Sequence, residues 1–245
     1  MNNTFSFKRF EAVVARDWRS VLGNYGITLL VFCSIPTLPW LTSLVFGIGE
    51  VDQSVRWFVL GLSAILAVMI AAEKIYGNAN HPREGVAFAM LPATNMEKFF
   101  SMSLYCAVVV PVAVMMGLWC VDALLALIPL PIYKGVLSIP LEEYNPSLGW
   151  AVVFLIVCWW FVSALFMLGN MFFSRRKTAK TFAWSQLFIF SIGMILQAFD
   201  AWEGILRFFY NMSESFSPWF LVIVIFIVNC VLFYLTYRRI KTQKY

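Results

Sequence analysis

Six long apolar runs limit the folds that are open to this chain. They cover roughly residues 25–48, 57–76, 99–130, 150–173, 182–199 and 218–237. A helix that crosses a bilayer needs about 20 mostly apolar residues, and only the fifth run falls short of that length. Charged residues make up 13% of the 245 residues, against about 25% in a typical soluble domain. The pattern predicts an all-α integral membrane protein with six transmembrane helices.

Residues 1–24 precede the first run and are predicted to form an amphipathic helix. Its aromatic and aliphatic residues recur at helical spacing, at Phe7, Phe10, Val14, Trp18 and Val21. Other positions carry the cations Lys8, Arg9, Arg16 and Arg19. A basic helix with aromatic residues on its apolar side lies along a membrane surface, so Trp18 and the four cations are predicted interface anchors. The alternative is packing on a soluble core, for which the sequence offers no candidate.

The basic residues fall mainly on one predicted side of the membrane. With an internal N-terminus, the cytoplasmic segments are 1–24, 74–98, 174–181 and 238–245. They hold 15 of the 18 Lys and Arg residues. Cytoplasmic loops are enriched in these residues, so both termini are predicted to lie in the cytoplasm and the chain in the cell membrane. Residues 25–237 then form the transmembrane domain, between an interfacial helix and a basic tail.

A polar loop at residues 77–98 interrupts the apolar runs on the cytoplasmic side. Pro92 ends any preceding helix. Thr94 is suited to cap the next helix, and Glu97, three residues later, completes a capping box. Lys98 then lies where the membrane surface begins. The loop is therefore predicted to be structured and to fix the start of the third transmembrane helix.

Motifs for catalysis and nucleotide binding are missing from the sequence. It contains no phosphate-binding loop, no HExxH and no GxSxG. His81 is the single histidine, and the five cysteines lie inside apolar runs without metal-ligand spacing. A metal centre needs several ligands at suitable spacing, so neither a metal nor another cofactor is predicted. Without a convergent acid, base or nucleophile set, the chain is not predicted to be an enzyme.

Few ionisable groups are predicted near the middle of the membrane. Asp122 lies about 24 residues beyond Lys98, which at 1.5 Å per residue places it at the outer surface, with a buried proton relay as the alternative. A secondary transporter usually needs ionisable groups at the midplane, which argues against an ion-coupled pump. Arg175, Arg176 and Lys177 follow the fourth run and are predicted interface anchors, with a partner site as the alternative.

The predicted topology and the central loop resemble the membrane subunit of ABC exporters of the second type. The segment REGVAFAMLPATNMEKFF is similar to the LPA[ST]xxEK[FY] element of small permease-like proteins of that class from Bacteroidetes-type bacteria. The matching residues are Leu91, Pro92, Ala93, Thr94, Glu97, Lys98 and Phe99. The resemblance implies that the N-terminal helix and this loop lie against a separate ATPase subunit.

The resemblance also implies a coupling surface on the loop. It comprises Arg83, Glu84, Phe88, Leu91, Pro92, Thr94, Glu97 and Lys98. The apolar residues of the loop need to be buried against another surface. This favours contact with a partner. The alternative is packing on the protein's own interfacial helix. Exporters of this type often carry an outer re-entrant hairpin, and residues 200–216 are apolar enough to enter the membrane only in part.

The expected function is that of the permease subunit of an ATP-driven exporter. A second copy or a homologue completes the pathway, and the ATPase subunit is supplied in trans. The second hypothesis is a non-transporting membrane scaffold or regulator whose loop recruits a cytosolic partner. The net charge of +5 does not indicate a nucleic-acid partner, because the cations lie near the ends of apolar runs, where they act as topology signals and contact membrane lipid.

Overall fold

The computed structural model describes residues 5–47, 49–80, 85–133, 135–137, 147–198 and 219–242. Within these ranges the chain is helical and contains no β-strand, which confirms the predicted all-α class. The chain divides into two compact units. Unit 1 is formed by Met1–Tyr144 and unit 2 by Asn145–Lys244.

Unit 1 contains two long helical rods and one uninterrupted helix. The first rod consists of α1 (Phe7–Ser20), a π-helical turn (Val21–Tyr25), α2 (Gly26–Ser34) and α3 (Thr37–Phe46). The uninterrupted helix, α4 (Gln53–Tyr76), continues into a 3-10 turn (Gly77–Asn80). After the short α5 (Gly85–Ala89), the second rod joins α6 (Asn95–Leu104), a π-helical turn (Tyr105–Val109) and α7 (Val110–Ala126). The break between α2 and α3 falls at Pro36, which lacks the N–H that would continue the helix.

Unit 2 contains α8 (Ser147–Phe172), α9 (Lys177–Ala198) and α10 (Trp219–Thr242). Two contacts show that α8 and α10 run parallel. The Asn229 side-chain amide donates to the Val157 carbonyl oxygen at 2.9 Å, and further along both helices the Arg239 guanidinium lies 5.1 Å from the centre of the Phe172 ring. Because the two helices point the same way, the chain between them must return along their length.

Five helical segments of the described residues are long and apolar enough to cross a membrane. They are Phe7–Phe46, Gln53–Asn80, Asn95–Ala126, Val152–Phe172 and Trp219–Thr242. These segments cover most of the first four predicted runs and of the sixth, whereas the described part of the fifth run lies in α9, which is not among them. The architecture is therefore compatible with a multi-pass membrane protein. The predicted N-terminal helix and the first run form one continuous segment of 40 residues.

Small residues on α4 set the packing of unit 1. Ala67 and Ala71 are buried and let neighbouring helices approach closely. The Tyr25 hydroxyl donates to the Ala67 carbonyl oxygen at 2.9 Å. On α7, Gly117 faces Cys33 of α2, where an added Cβ would lie 2.5 Å from the cysteine sulfur. The separation of these helices is therefore fixed by residues with little or no side chain.

Candidate functional site

The central loop ends in the capping box that the sequence predicts. The Thr94 hydroxyl accepts a hydrogen bond from the Glu97 N–H at 3.3 Å, and the Glu97 carboxylate accepts one from the Thr94 N–H at 2.8 Å. These two bonds satisfy N–H groups that the first turn of α6 leaves without an intrahelical partner. The start of α6 is thereby fixed by local sequence, as predicted.

The same carboxylate also holds α1. Glu97 Oε1 accepts from the Ser6 N–H at 2.8 Å and from Arg9 Nη2 at 3.0 Å. Ser6 is the N-cap residue of α1, and its own side chain makes no capping bond. Glu97 therefore accepts hydrogen bonds at the N-terminal ends of two helices, α1 and α6. Ser6 and Glu97 are 91 residues apart in the sequence. Because its side chain is fully buried, it contacts the protein's own α1 rather than a partner.

Asp17 provides a second tie between α1 and its neighbours. Its carboxylate accepts from the Tyr76 hydroxyl at 2.9 Å and from the Ser101 hydroxyl at 2.7 Å. Tyr76 is the last residue of α4 and Ser101 belongs to α6, so one buried carboxylate joins three helices. Asp17 is not among the residues that the sequence predicts to be functional. It lies seven residues after Phe10 and four after Val13, on the face of α1 that the fold buries. This spacing is the sequence feature that could have indicated its role.

A third tie lies one turn beyond Ser101 on the second rod and about one turn before Asp17 on α1. The Tyr105 hydroxyl donates to the Val14 carbonyl oxygen at 2.7 Å, and the Trp18 and Tyr105 rings stack with their centres 6.5 Å apart. We refer to the bonds of Glu97, Asp17 and Tyr105 to their partners as the α1 clasp. The clasp fixes α1 along α6 and the start of the π-helical turn that leads into α7.

The predicted interface anchors of α1 divide into two groups. Lys8, Arg16, Trp18 and Arg19 are exposed, as an anchor must be. Arg9 is only partly exposed and pairs with Glu97. Among the aromatic residues, Phe7 is 81% exposed, whereas Trp18 is 47% exposed and stacks on Tyr105 of the clasp. Sequence spacing therefore located exposed aromatic residues of α1 but not the polar contacts that hold the helix.

The predicted coupling residues also divide between the inside and the surface. Phe88 and Lys98 are buried, and the Lys98 ammonium lies 5.3 Å from the centre of the Phe88 ring. Leu91 is partly exposed and Pro92 is exposed, together with the unpredicted Met90 (79%) and Met96 (48%). Arg83, Glu84 and His81 lie outside the described residues. Direct partner contact by Phe88, Glu97 and Lys98 is corrected here, because their side chains face the protein interior.

A second polar cluster lies at the other end of α4 and α7. Arg56 forms two hydrogen bonds with Asp122, from Nη2 at 2.5 Å and from Nε at 3.1 Å. Arg56 and Asp122 are 4% and 1% exposed. Asp122 is therefore buried within the protein, because Arg56 from α4 neutralises its charge, and its expected position near the outer surface of the membrane stays a prediction. Arg56 also donates to the Gly135 carbonyl oxygen at 3.2 Å.

Tyr133 closes this cluster from the segment after α7. The Arg56 guanidinium lies 4.1 Å from the centre of the Tyr133 ring, and the Tyr133 hydroxyl donates to the Pro36 carbonyl oxygen at 3.1 Å. Burial raises the pKa of Tyr133 to about 12, and the nearby Asp122 carboxylate is the second cause of this rise. We call Arg56, Asp122, Tyr133 and Gly135 the Arg56 cluster. It ties the segment after α7 to both helical rods and to α4.

The α1 clasp and the Arg56 cluster lie about one bilayer thickness apart. On α4 they include Tyr76 and Arg56, which are about 20 residues apart and thus about 30 Å along a helix. On the second rod, Ser101 and Asp122 are separated by a similar length. The hydrocarbon core of a bilayer is about 30 Å thick. Polar ties therefore hold the two ends of these helices, and between them lies the hydrogen bond from the Tyr25 hydroxyl to the Ala67 carbonyl oxygen.

The basic anchors predicted in unit 2 lie at the turn between α8 and α9. Arg175 and Arg176 are exposed, but Lys177, the first residue of α9, is buried, which corrects its assignment as a surface anchor. In the described part of the chain, no three His, Cys, Asp or Glu side chains come together as metal ligands. Comparison with protein-family models, curated proteins and solved structures finds no match to this chain.

Proposed function

We propose that the chain is the permease subunit of an ATP-driven ABC exporter and is coupled through α1 and the central loop to a separate ATPase subunit. The observation that carries this proposal is the shared Glu97 carboxylate. It binds the loop end at Thr94 and the N-terminal end of α1 at Ser6. A partner that moves either segment therefore moves both.

The clasp offers a route for such a movement into the membrane-spanning part. Glu97 and Ser101 lie on α6, which continues through a π-helical turn into α7. Hydrogen bonds to a buried charged group are stronger than those between neutral groups, so the connection resists slipping. A force on the loop then displaces the whole of α6 instead of deforming the loop.

The contact surface for the ATPase subunit is the exposed apolar part of the loop. Met90, Pro92 and Met96 are exposed there, and methionine is common at surfaces that bind partners because its side chain adapts and is polarizable. The buried residues Phe88 and Lys98 support this surface from beneath. In this proposal the surface residues bind the partner, and Glu97 transmits the movement.

Six membrane crossings with both termini in the cytoplasm form part of the proposal. Because α8 and α10 run parallel, a crossing between them is required if both span the bilayer. α9 has 22 residues and is about 33 Å long, which is enough for that crossing. The distribution of Lys and Arg then places α1, the central loop and the turn after α8 in the cytoplasm of a bacterial cell. Two copies, or one copy and a homologue, enclose the transport pathway.

The first test is purification of the full chain from its native cell in a gentle detergent, followed by mass spectrometry of the co-purifying proteins. We expect a stoichiometric ATPase subunit. The complex is then reconstituted in vesicles, and ATP hydrolysis and export are measured for Met90→Asp and Glu97→Gln. Met90→Asp places a charge on the apolar surface and is expected to release the ATPase subunit.

Glu97→Gln keeps the loop surface and is expected to retain the ATPase subunit while export falls at least tenfold relative to ATP hydrolysis. Glu11→Gln, an exposed charge change on α1, is the matched control and leaves both activities unchanged. If export relative to ATP hydrolysis is unchanged in Glu97→Gln, the clasp does not transmit the movement of the loop. Recovery of the chain alone, or with a partner that is not an ATPase, favours the alternative function as a membrane scaffold.

A further inference from the structure

All charged side chains in the described part of unit 2 are cations. They are Arg175, Arg176, Lys177, Lys180, Arg238, Arg239 and Lys241. No Asp or Glu occurs in residues 147–198 or 219–242. The cations belong to two groups in the sequence, one at the turn between α8 and α9 and the other at the end of α10.

Ring contacts bring the two groups to the same end of α8. The Arg239 guanidinium lies 5.1 Å from the centre of the Phe172 ring, and the Lys180 ammonium lies 5.9 Å from the centre of the Phe173 ring. Phe172 and Phe173 are consecutive, so cations from α9 and α10 flank one point of the fold. We call this region, with the exposed Arg175 beside it, the cationic end of unit 2.

The guanidinium of Arg239 pairs with no carboxylate among the described residues of this unit. Its Nε–H is buried and finds no hydrogen-bond acceptor among the described residues. A buried donor without an acceptor is unfavourable, because it has lost its hydrogen bonds to water without replacing them. The side chain as a whole is only partly buried, so an anion at its remaining N–H groups can offset the charge. Lys180 and Arg175 are exposed and available to the same anion.

The surroundings of these cations are apolar and exposed. Phe172 is 56% exposed and Phe182, two residues beyond Lys180, is 48% exposed. A small inorganic anion gains nothing from such rings, whereas a phospholipid has a phosphate for the cations and an acyl region for the rings. Basic pockets between transmembrane helices on the cytoplasmic side bind anionic headgroups for this reason.

We propose that the cationic end of unit 2 binds the phosphate headgroup of an anionic phospholipid, with Arg239 and Lys180 as its main contacts and Arg175 at its rim. The site is more specific than a general topology signal, because that signal depends on the number of cations and not on their positions. Arg238 and Lys241 carry the same charges on the same helix, are exposed, and are not expected to contribute to this site.

The test compares lipid binding by position-matched variants of the full chain. The protein is purified in detergent, phosphatidylglycerol or phosphatidylcholine is added, and bound lipids are counted by native mass spectrometry. We expect retention of phosphatidylglycerol over phosphatidylcholine. Arg239→Gln and Lys180→Gln are each expected to weaken phosphatidylglycerol binding about tenfold, because one charge-assisted hydrogen bond is lost. Arg238→Gln and Lys241→Gln are expected to change it less than twofold.

Several results would overturn the proposal. An equal loss for Arg238→Gln and Arg239→Gln would show a diffuse attraction without a site. Displacement of the lipid by millimolar inorganic phosphate would show that the site takes a free anion. Displacement by an acidic protein that co-purifies with the chain would assign the surface to that partner. Arg239→Lys keeps the charge and is expected to retain most binding, which covers the case in which Arg239→Gln does not fold.

Discussion

Unit 1 pairs two buried carboxylates, those of Glu97 and Asp122, with cations of its own fold, whereas unit 2 has cations and no acidic residue in its described part. Arg9 faces Glu97 at 3.0 Å and Arg56 faces Asp122 at 2.5 Å. Both carboxylates are almost completely buried. In unit 2, Arg239 lies against a ring instead. An internal pair fixes helices of the same unit relative to one another, whereas exposed cations with no acidic residue in the described part of their unit are open to a partner from outside.

The difference extends to how each unit holds its helices together. In unit 1, the α1 clasp and the Arg56 cluster join elements far apart in the sequence. In unit 2, contact between α8 and α9 depends on Gly169, since an added Cβ there would clash with the side chain of Thr181. Both units contain a close glycine contact, but among the described residues only unit 1 adds buried ion pairs. Changes of charge are therefore expected to affect unit 1 more than unit 2.

The largest effect is expected at the Arg56 cluster. Asp122→Asn removes the charge that compensates Arg56, and breaking a buried ion pair costs about 3–5 kcal/mol of stability. The measurement is the free energy of unfolding of the purified chain in mixed micelles. Replacing both partners, as Arg56→Met with Asp122→Leu, is expected to recover most of the loss, because no buried charge remains unpaired. A double variant as unstable as Asp122→Asn would contradict this account.

The two units also show which features of the fold could be predicted from the sequence and which could not. The capping box at Thr94 and Glu97 was predictable because both residues act within one turn. The partners of Glu97, Asp17 and Asp122 lie 59 to 91 residues away, and no local pattern specifies such pairings. Counting residues from Lys98 placed Asp122 near the outer surface of the membrane, yet the sequence could not show that Asp122 meets Arg56. Burial of Asp122 followed only from its partner.

The same limit applies to unit 2. Hydropathy located the apolar runs that became α8 and α10, because a run of apolar residues is a local property. Their parallel direction depends on contacts such as Asn229 with Val157, 72 residues apart. The basic residues after α8 were recognised as a group, but the sequence did not indicate that Lys177 is buried or that Arg239 joins them. Those positions depend on packing against Phe172 and Phe173.

A change of volume is the intermediate test. Gly169→Ala introduces a Cβ against Thr181 and is expected to destabilise the protein by about 1–3 kcal/mol, the usual cost of overpacking a close contact. Gly193→Ala is the matched control on α9, since nothing lies within 4 Å of its added Cβ. Unfolding in mixed micelles measures both. Equal stability of the two variants would show that α8 and α9 can separate without cost, and that close packing does not hold unit 2.

The smallest effect on stability is expected at the cationic end of unit 2. Arg175→Gln removes an exposed charge with no acidic neighbour in residues 147–198 or 219–242, and such substitutions usually change stability by less than about 0.5 kcal/mol. The same unfolding measurement in micelles of zwitterionic detergent checks this value, with Asp122→Asn as the reference at the other extreme. A loss as large as that of Asp122→Asn would mean that Arg175 is paired as Arg56 is, and the contrast between the units would fail. A small loss that grows when phosphatidylglycerol is added to the micelles would sharpen the contrast, since a ligand bound to the folded state stabilises it only while its site is intact.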